Sequence, residues 1–116
     1  MPTPTDIPEP WNPAQATERI RSIAAGEFAI SYTQHALDQI ADRDLIIGDV
    51  IYLLKNGFVY ERPEKPARTS DWKYQMQCRT PNSGQREVRV VVIPDWRTKA
   101  LTLVTVMWTD EPRHAG

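Results

Sequence analysis

From Asp71 to Arg79 the chain alternates without a break. Trp72, Tyr74, Met76 and Cys78 fall on one side, and Lys73, Gln75, Gln77 and Arg79 on the other. Strict alternation with period two fits a strand that has one face in a core and the other toward water. It argues for an antiparallel sheet covered on one side only. The apolar side needs a partner layer, which other parts of the chain must supply.

Three amphipathic stretches can supply it. Asn12 followed by Pro13, with Gln15 three residues after the cap, predicts a helix start with a capping box. Ala16, Ile20, Ile23 and Ala24 give that helix its apolar face, Gly26 closes it, and Trp11 precedes the cap as a staple against Ala16. Phe28 to Tyr32 reads as a short strand or extended link. From Thr33 to Gly57 the pattern is two short helices joined at a polar elbow. Thr33 is the first N-cap, Leu37, Ile40 and Ala41 form the first apolar stripe, and Val50, Ile51, Leu53 and Leu54 form the second. Strands are then expected at Phe58–Arg62, Asp71–Arg79, Glu87–Ile93 (stopped by Pro94) and Leu101–Trp108. Turns fall at Pro81–Gly84 and Asp95–Lys99. This order predicts an α+β domain: an antiparallel sheet of about four strands, with the helices on one face. The other face, bearing Lys73, Gln75, Gln77, Arg79 and Arg89, stays open.

The 116 residues suit one domain, placed over 12–110 between a proline-rich arm (1–11) and a disordered tail (111–116). No apolar run nears the roughly 20 residues of a membrane span. MPTPTDIPEP lacks the basic and apolar regions of a signal peptide, so a cytoplasmic location is expected. One cysteine and two histidines make a protein-built zinc site a poor expectation, and neither glycine-rich phosphate loop occurs, so no metal or cofactor is expected. The net charge of −1 hides an asymmetry. Residues 1–61 carry four Lys/Arg against nine Asp/Glu, whereas residues 62–99 carry nine against four. The middle third is thus a basic segment able to meet an anion.

His35 and Arg43 recur at helical spacing with Gln39, so an imidazole and a guanidinium lie along one polar stripe. That pairing suits acid–base chemistry beside a phosphate, since imidazole is the side chain titrating nearest neutrality. Lys73 and Arg79 share one strand face and are candidates to stabilise phosphate charge. Arg89 on the same open face, with Trp96 and Arg97 in a turn, are candidate contacts to nucleic acid. The bland alternatives are a solvated helix face, Arg43 paired with Asp42, Asp44 or Asp49, and tryptophans engaged in packing.

The pattern His35-Ala36-x-x-Gln39-x-x-x-Arg43, followed by Asp49-Val50 and a Gly57 stop, resembles a family of small bacterial domains with the signature H-A-x-x-R-M-x-E-R. Trp72-Lys73-Tyr74, the valine-rich Val88–Ile93 and the ending Val104–Trp108 continue the resemblance, which covers about residues 28–110. Gln39 departs from it, standing where the family usually carries arginine. The layout is similar to BrnT- and RelE-like toxins of the barnase–EndoU–colicin–RelE group. The resemblance implies a toxin-like, metal-independent ribonuclease that cleaves RNA across the open sheet face, with His35, Arg43, Lys73 and Arg79 as catalytic candidates. It also implies an antitoxin-like protein partner or a homodimer. The alternative is a non-catalytic protein-interaction module on the same fold.

Overall fold

A computed structural model describes residues 8–64 and 71–111. Residues 1–7 of the expected arm, 65–70 of the proline-containing loop, and 112–116 with His114 lie outside the described residues. The elements in order are α1 (Pro13–Ala25), β1 (Ala29–Tyr32), α2 (Gln34–Asp42), α3 (Ile47–Asn56), β2 (Phe58–Val59), β3 (Tyr74–Cys78), β4 (Val88–Asp95) and β5 (Ala100–Trp108).

The helices start where short polar side chains can take up orphan backbone donors. Asn12 Oδ1 accepts from Gln15 N–H at 2.8 Å while Gln15 Oε1 accepts from Asn12 N–H at 3.1 Å, the expected capping box. Thr33 Oγ1 accepts from Ala36 N–H at 3.0 Å and donates to Val104 O at 2.9 Å, so one hydroxyl caps α2 and ties it to β5. Ile46 has no capping side chain. Asp49 takes over by accepting from Ile46 N–H at 3.0 Å.

The sheet has five strands in the order β1-β5-β4-β3-β2. β2 to β5 pair antiparallel, as the alternation requires, but β1 lies parallel to β5, with Tyr32 opposite Leu103. The sheet is therefore mixed, and the expectation of four purely antiparallel strands is corrected. Short-connection reasoning sees only successive strands. The parallel pair is closed by everything between β1 and β5, a crossover that no local signal announces.

Two further strand expectations change. β2 is two residues long, not Phe58–Arg62. β4 runs through Pro94, which sits opposite Leu101. The last β3–β4 pair is Tyr74↔Val92, so Pro94 lies past the end of β3, where no ladder partner needs its missing N–H.

All three helices pack on the same face. Ile20 and Ile23 of α1, Ala36 and Ile40 of α2, and Leu53 and Leu54 of α3 share one core with Tyr74, Met76, Val90, Leu103 and Val106. Trp11 is buried there, stacked on Tyr74 with ring centroids 5.4 Å apart. Trp72, expected inside, is half-buried at the approach to β3. The apolar stripe of α2 is Ala36–Ile40, and Leu37 is 38 % exposed. The two Thr33 bonds to β5 (N–H to Leu103 O, hydroxyl to Val104 O) set the helix rotation and turn Leu37 outward.

Both flanks of the sheet are closed by side chains from the helices, their caps and the turn after β5. Beyond β1 the backbone of β5 is met by the Thr33 hydroxyl, by Gln39 Oε1 (from Val106 N–H, 2.7 Å) and by Glu111 Oε1 (from Trp108 N–H, 2.9 Å). At the other flank Thr17 Oγ1 accepts from Val59 N–H, and Arg21 donates to Gly57 O and Asn56 O. Unpaired strand backbone invites pairing with another chain, and these side chains occupy it.

Candidate functional site

The face opposite the helices is uncovered by any element among the described residues. Its side chains are Gln75 and Gln77 of β3, Arg89, Val91 and Ile93 of β4, and Thr102, Thr105 and Met107 of β5. They alternate with the buried set in each strand. A register shift between Val91 and Val92 leaves Val104 as an extra residue in β5. Such a bulge bends a strand locally. Here it brings Val104 and Thr105 together beside Val91.

The bend floors a hollow of about 160 Å³ lined by Glu64, Lys73, Gln75, Val91, Val104 and Thr105. A cavity of ~150 Å³ accommodates a benzene-sized molecule, so this one has room for a ring or a phosphate group. Glu64 and Lys73 are side by side at its rim, joined as an antiparallel bridge. Glu64 N–H donates to Lys73 O at 2.9 Å and Lys73 N–H donates to Glu64 O at 2.8 Å. Two residues that exchange both backbone bonds project their side chains to the same face. The hollow is thus lined by apolar, amide and hydroxyl side chains, with an acidic and a basic residue as cross-strand neighbours at its rim. A carboxylate can take a proton, and an ammonium can steady developing negative charge and return one.

Of the catalytic and nucleic-acid-contact candidates singled out from sequence, Lys73 alone lines the hollow. Arg89 stands near it on the open face, its Nε donating to Gln77 Oε1 at 3.2 Å, with Gln77 in turn donating to Glu87. Arg79 is exposed past the end of β3 and donates to Gln85 Oε1 at 3.3 Å. His35 is exposed in the first turn of α2, on the helix side of the sheet. Arg43 caps the other end of α2, where its Nε and Nη2 both meet Glu111 at 2.7 Å. His35 and Arg43 are eight residues apart on one helix, about 12 Å along its axis, and the sheet lies between them and Lys73. The expected four-residue constellation is not assembled around one point. Trp96 is engaged in packing: Lys99 Nζ lies 3.2 Å and Arg19 Cζ 4.5 Å from its ring centre, and Trp11 meets it edge-on. Arg97 is exposed in the β4–β5 turn, its N–H bound to Asp95.

Sequence reasoning missed Glu64, which sits in a proline-flanked loop with no periodicity to mark it. The sole signal was its charge opposite the basic segment. Among the described residues no three His, Cys, Asp or Glu side chains stand together as a metal site, and no helix is long and apolar enough to cross a membrane.

A family model described as Domain of unknown function (DUF4258) matches residues 32–108, from the last residue of β1 to the last of β5. The matched span contains every residue that lines the hollow and excludes α1 and Trp11. No curated protein and no solved structure matches the chain.

Proposed function

The chain belongs to the DUF4258 family, and on that premise we propose that it is a toxin-like domain of RelE/BrnT type that cleaves RNA without a metal ion, at the hollow in its open sheet face. The observation that carries this reading is the pairing of Glu64 and Lys73 on one rim of that hollow. In the proposed reaction the Glu64 carboxylate takes the proton of a ribose 2′-hydroxyl as the 2′-oxygen attacks the adjacent phosphorus. Lys73 stabilises the charge on the phosphoryl oxygens and gives a proton to the departing 5′-oxygen. The products are a 2′,3′-cyclic phosphate and a 5′-hydroxyl. Gln75 and Thr105 offer hydrogen bonds to the phosphate or base, and Arg89 extends the cationic surface. The test is purified protein with RNA and a chelator, with and without ribosomes, followed by analysis of the new ends. Cyclic phosphate ends support the reading. Intact RNA in every condition sinks it.

A second reading, a non-catalytic module that binds a small antitoxin-like protein, is favoured by apolar exposure around α3: Ile46 56 %, Ile47 40 % and Tyr52 41 %. Protein purified from its native host separates the two. Ile46→Asp with Ile47→Asp should release a co-purifying chain under the second reading and leave RNA cleavage unaffected under the first.

A further inference from the structure

The end of the described chain folds back onto two arginines. Arg43 Nε and Nη2 grip the two oxygens of Glu111, and Arg86 Nε and Nη2 grip the two oxygens of Asp110 at 3.1 and 2.6 Å. Each guanidinium is also held by a contact independent of its carboxylate. Arg86 Cζ lies 4.2 Å above the Trp108 ring, and Arg43 Nη1 reaches Gln39 O at 3.4 Å. Because Asp110 and Glu111 are consecutive residues, the two guanidiniums they hold are brought to one corner. Two forks converging on one corner, each presented bidentately, form an arrangement that fits phosphate as well as carboxylate. The arginines lie inside the family-matched span, whereas Asp110 and Glu111 lie beyond it. The Arg86–Asp110 pair is also open to water, at 47 % and 59 % side-chain exposure, and exposed pairs of this kind are weakly held.

We propose that Arg43 and Arg86 form a binding site for the phosphodiester backbone of an RNA strand, and that Asp110–Glu111 is an internal stand-in that such a strand displaces. The inference rests on the RNA-directed reading for the identity of its ligand. The corner follows Thr105 of the hollow by three β5 residues, about 10 Å along the strand. Trp108 packs against the core on the covered side of the sheet, so the corner is a site apart from the hollow, around the sheet's edge.

The test uses the full chain and a labelled 2′-O-methyl RNA octamer, which cannot be cleaved at a 2′-hydroxyl, so binding is read whether or not the domain is a ribonuclease. Asp110→Asn with Glu111→Gln should tighten binding about tenfold at low salt. The salt dependence should steepen by roughly 1.4 in log–log slope for two gained phosphate contacts on a single strand. Asp110→Asn alone, which keeps the Glu111–Trp108 bond, should tighten it about threefold. Adding Arg43→Gln and Arg86→Gln should erase the gain. Glu18→Gln with Glu27→Gln, an equal charge change elsewhere, should shift affinity less than twofold. Equal tightening in that control, a gain that survives loss of both arginines, no tightening at all, or a response confined to inorganic tripolyphosphate would each overturn the proposal.

Discussion

Asp49 of α3 and Thr80 of the β3–β4 turn are joined by a 2.8 Å hydrogen bond inside the protein, with Asp49 only 1 % exposed. The same carboxylate accepts from Asn82 N–H and Nδ2 and from Ile46 N–H, so one side chain fixes both the start of a helix and the shape of a hairpin. Asp49→Ala strips the buried Thr80 hydroxyl and three less buried donors of their acceptor, and a buried donor left unsatisfied costs about 1–3 kcal/mol. The expected total is about 3 kcal/mol in urea unfolding at pH 7, with Asp49→Asn intermediate. Burial alone would raise this carboxyl's pKa, but the hydrogen bonds from Ile46, Thr80 and Asn82 hold it below its ordinary value of 3.8. Its contribution is thus complete above pH 3.8 and is lost as pH falls through the lower, folded value. The gap between wild type and Asp49→Ala should shrink in that acid range. A gap that is constant with pH would refute the carboxylate as its source.

Tyr74 joins the segment before α1 to the sheet. Its hydroxyl accepts from Trp11 N–H at 3.0 Å and donates to Glu9 Oε2 at 2.9 Å, and burial pushes its own pKa well above the usual value for a phenol. Trp11→Ala should cost about 3–5 kcal/mol, as for a fully buried large aromatic. Tyr74→Phe should cost about 1–2 kcal/mol through the orphaned Trp11 N–H. Loss of solvation raises the Glu9 pKa and the Tyr74 hydrogen bond restrains that rise. Because the folded state holds the Glu9 proton more tightly, its small contribution favours folding below pH 4.5 and fades as pH climbs through the folded value. NMR titration of Glu9 should show a higher pKa in Tyr74→Phe than in wild type.

Gln39 guards the flank of β5. Gln39→Ala leaves the Val106 N–H without its acceptor, at a cost of about 1–3 kcal/mol. It also bares strand backbone to a second chain. Light scattering across a concentration series should show self-association in Gln39→Ala at concentrations where wild type does not change.

Much of this scaffold was legible in the chain because local rules acted unopposed. The alternation around Tyr74 and Met76, the Asn12 and Thr33 caps and the stop at Gly57 all follow from short-range chemistry. At Gly57 the structure supplies a second reason: an added Cβ would come within 2.7 Å of Leu53 O. What was illegible depended on residues far apart in sequence. The β1–β5 pairing, the bulge at Val104, the Glu64–Lys73 bridge and the Arg43–Glu111 fork each join segments that no periodicity connects. The candidate site was half readable for the same reason. Lys73 advertised itself by alternation, while Glu64 became its neighbour only when the loop folded back. His35 lies in the first turn of α2 and Arg43 is its C-cap, and that helix packs on the covered side of the sheet.

The most direct test of the central claim compares RNA cleavage by Glu64→Gln, Lys73→Met and His35→Ala proteins of equal thermal stability. If the chemistry sits in the open-face hollow, Glu64→Gln should lose ~10²–10⁴ in rate, as for a general base. Lys73→Met should lose ~10²–10³, and His35→Ala should stay within threefold of wild type. Full activity in Glu64→Gln together with loss in His35→Ala would contradict the account and move the reaction to α2.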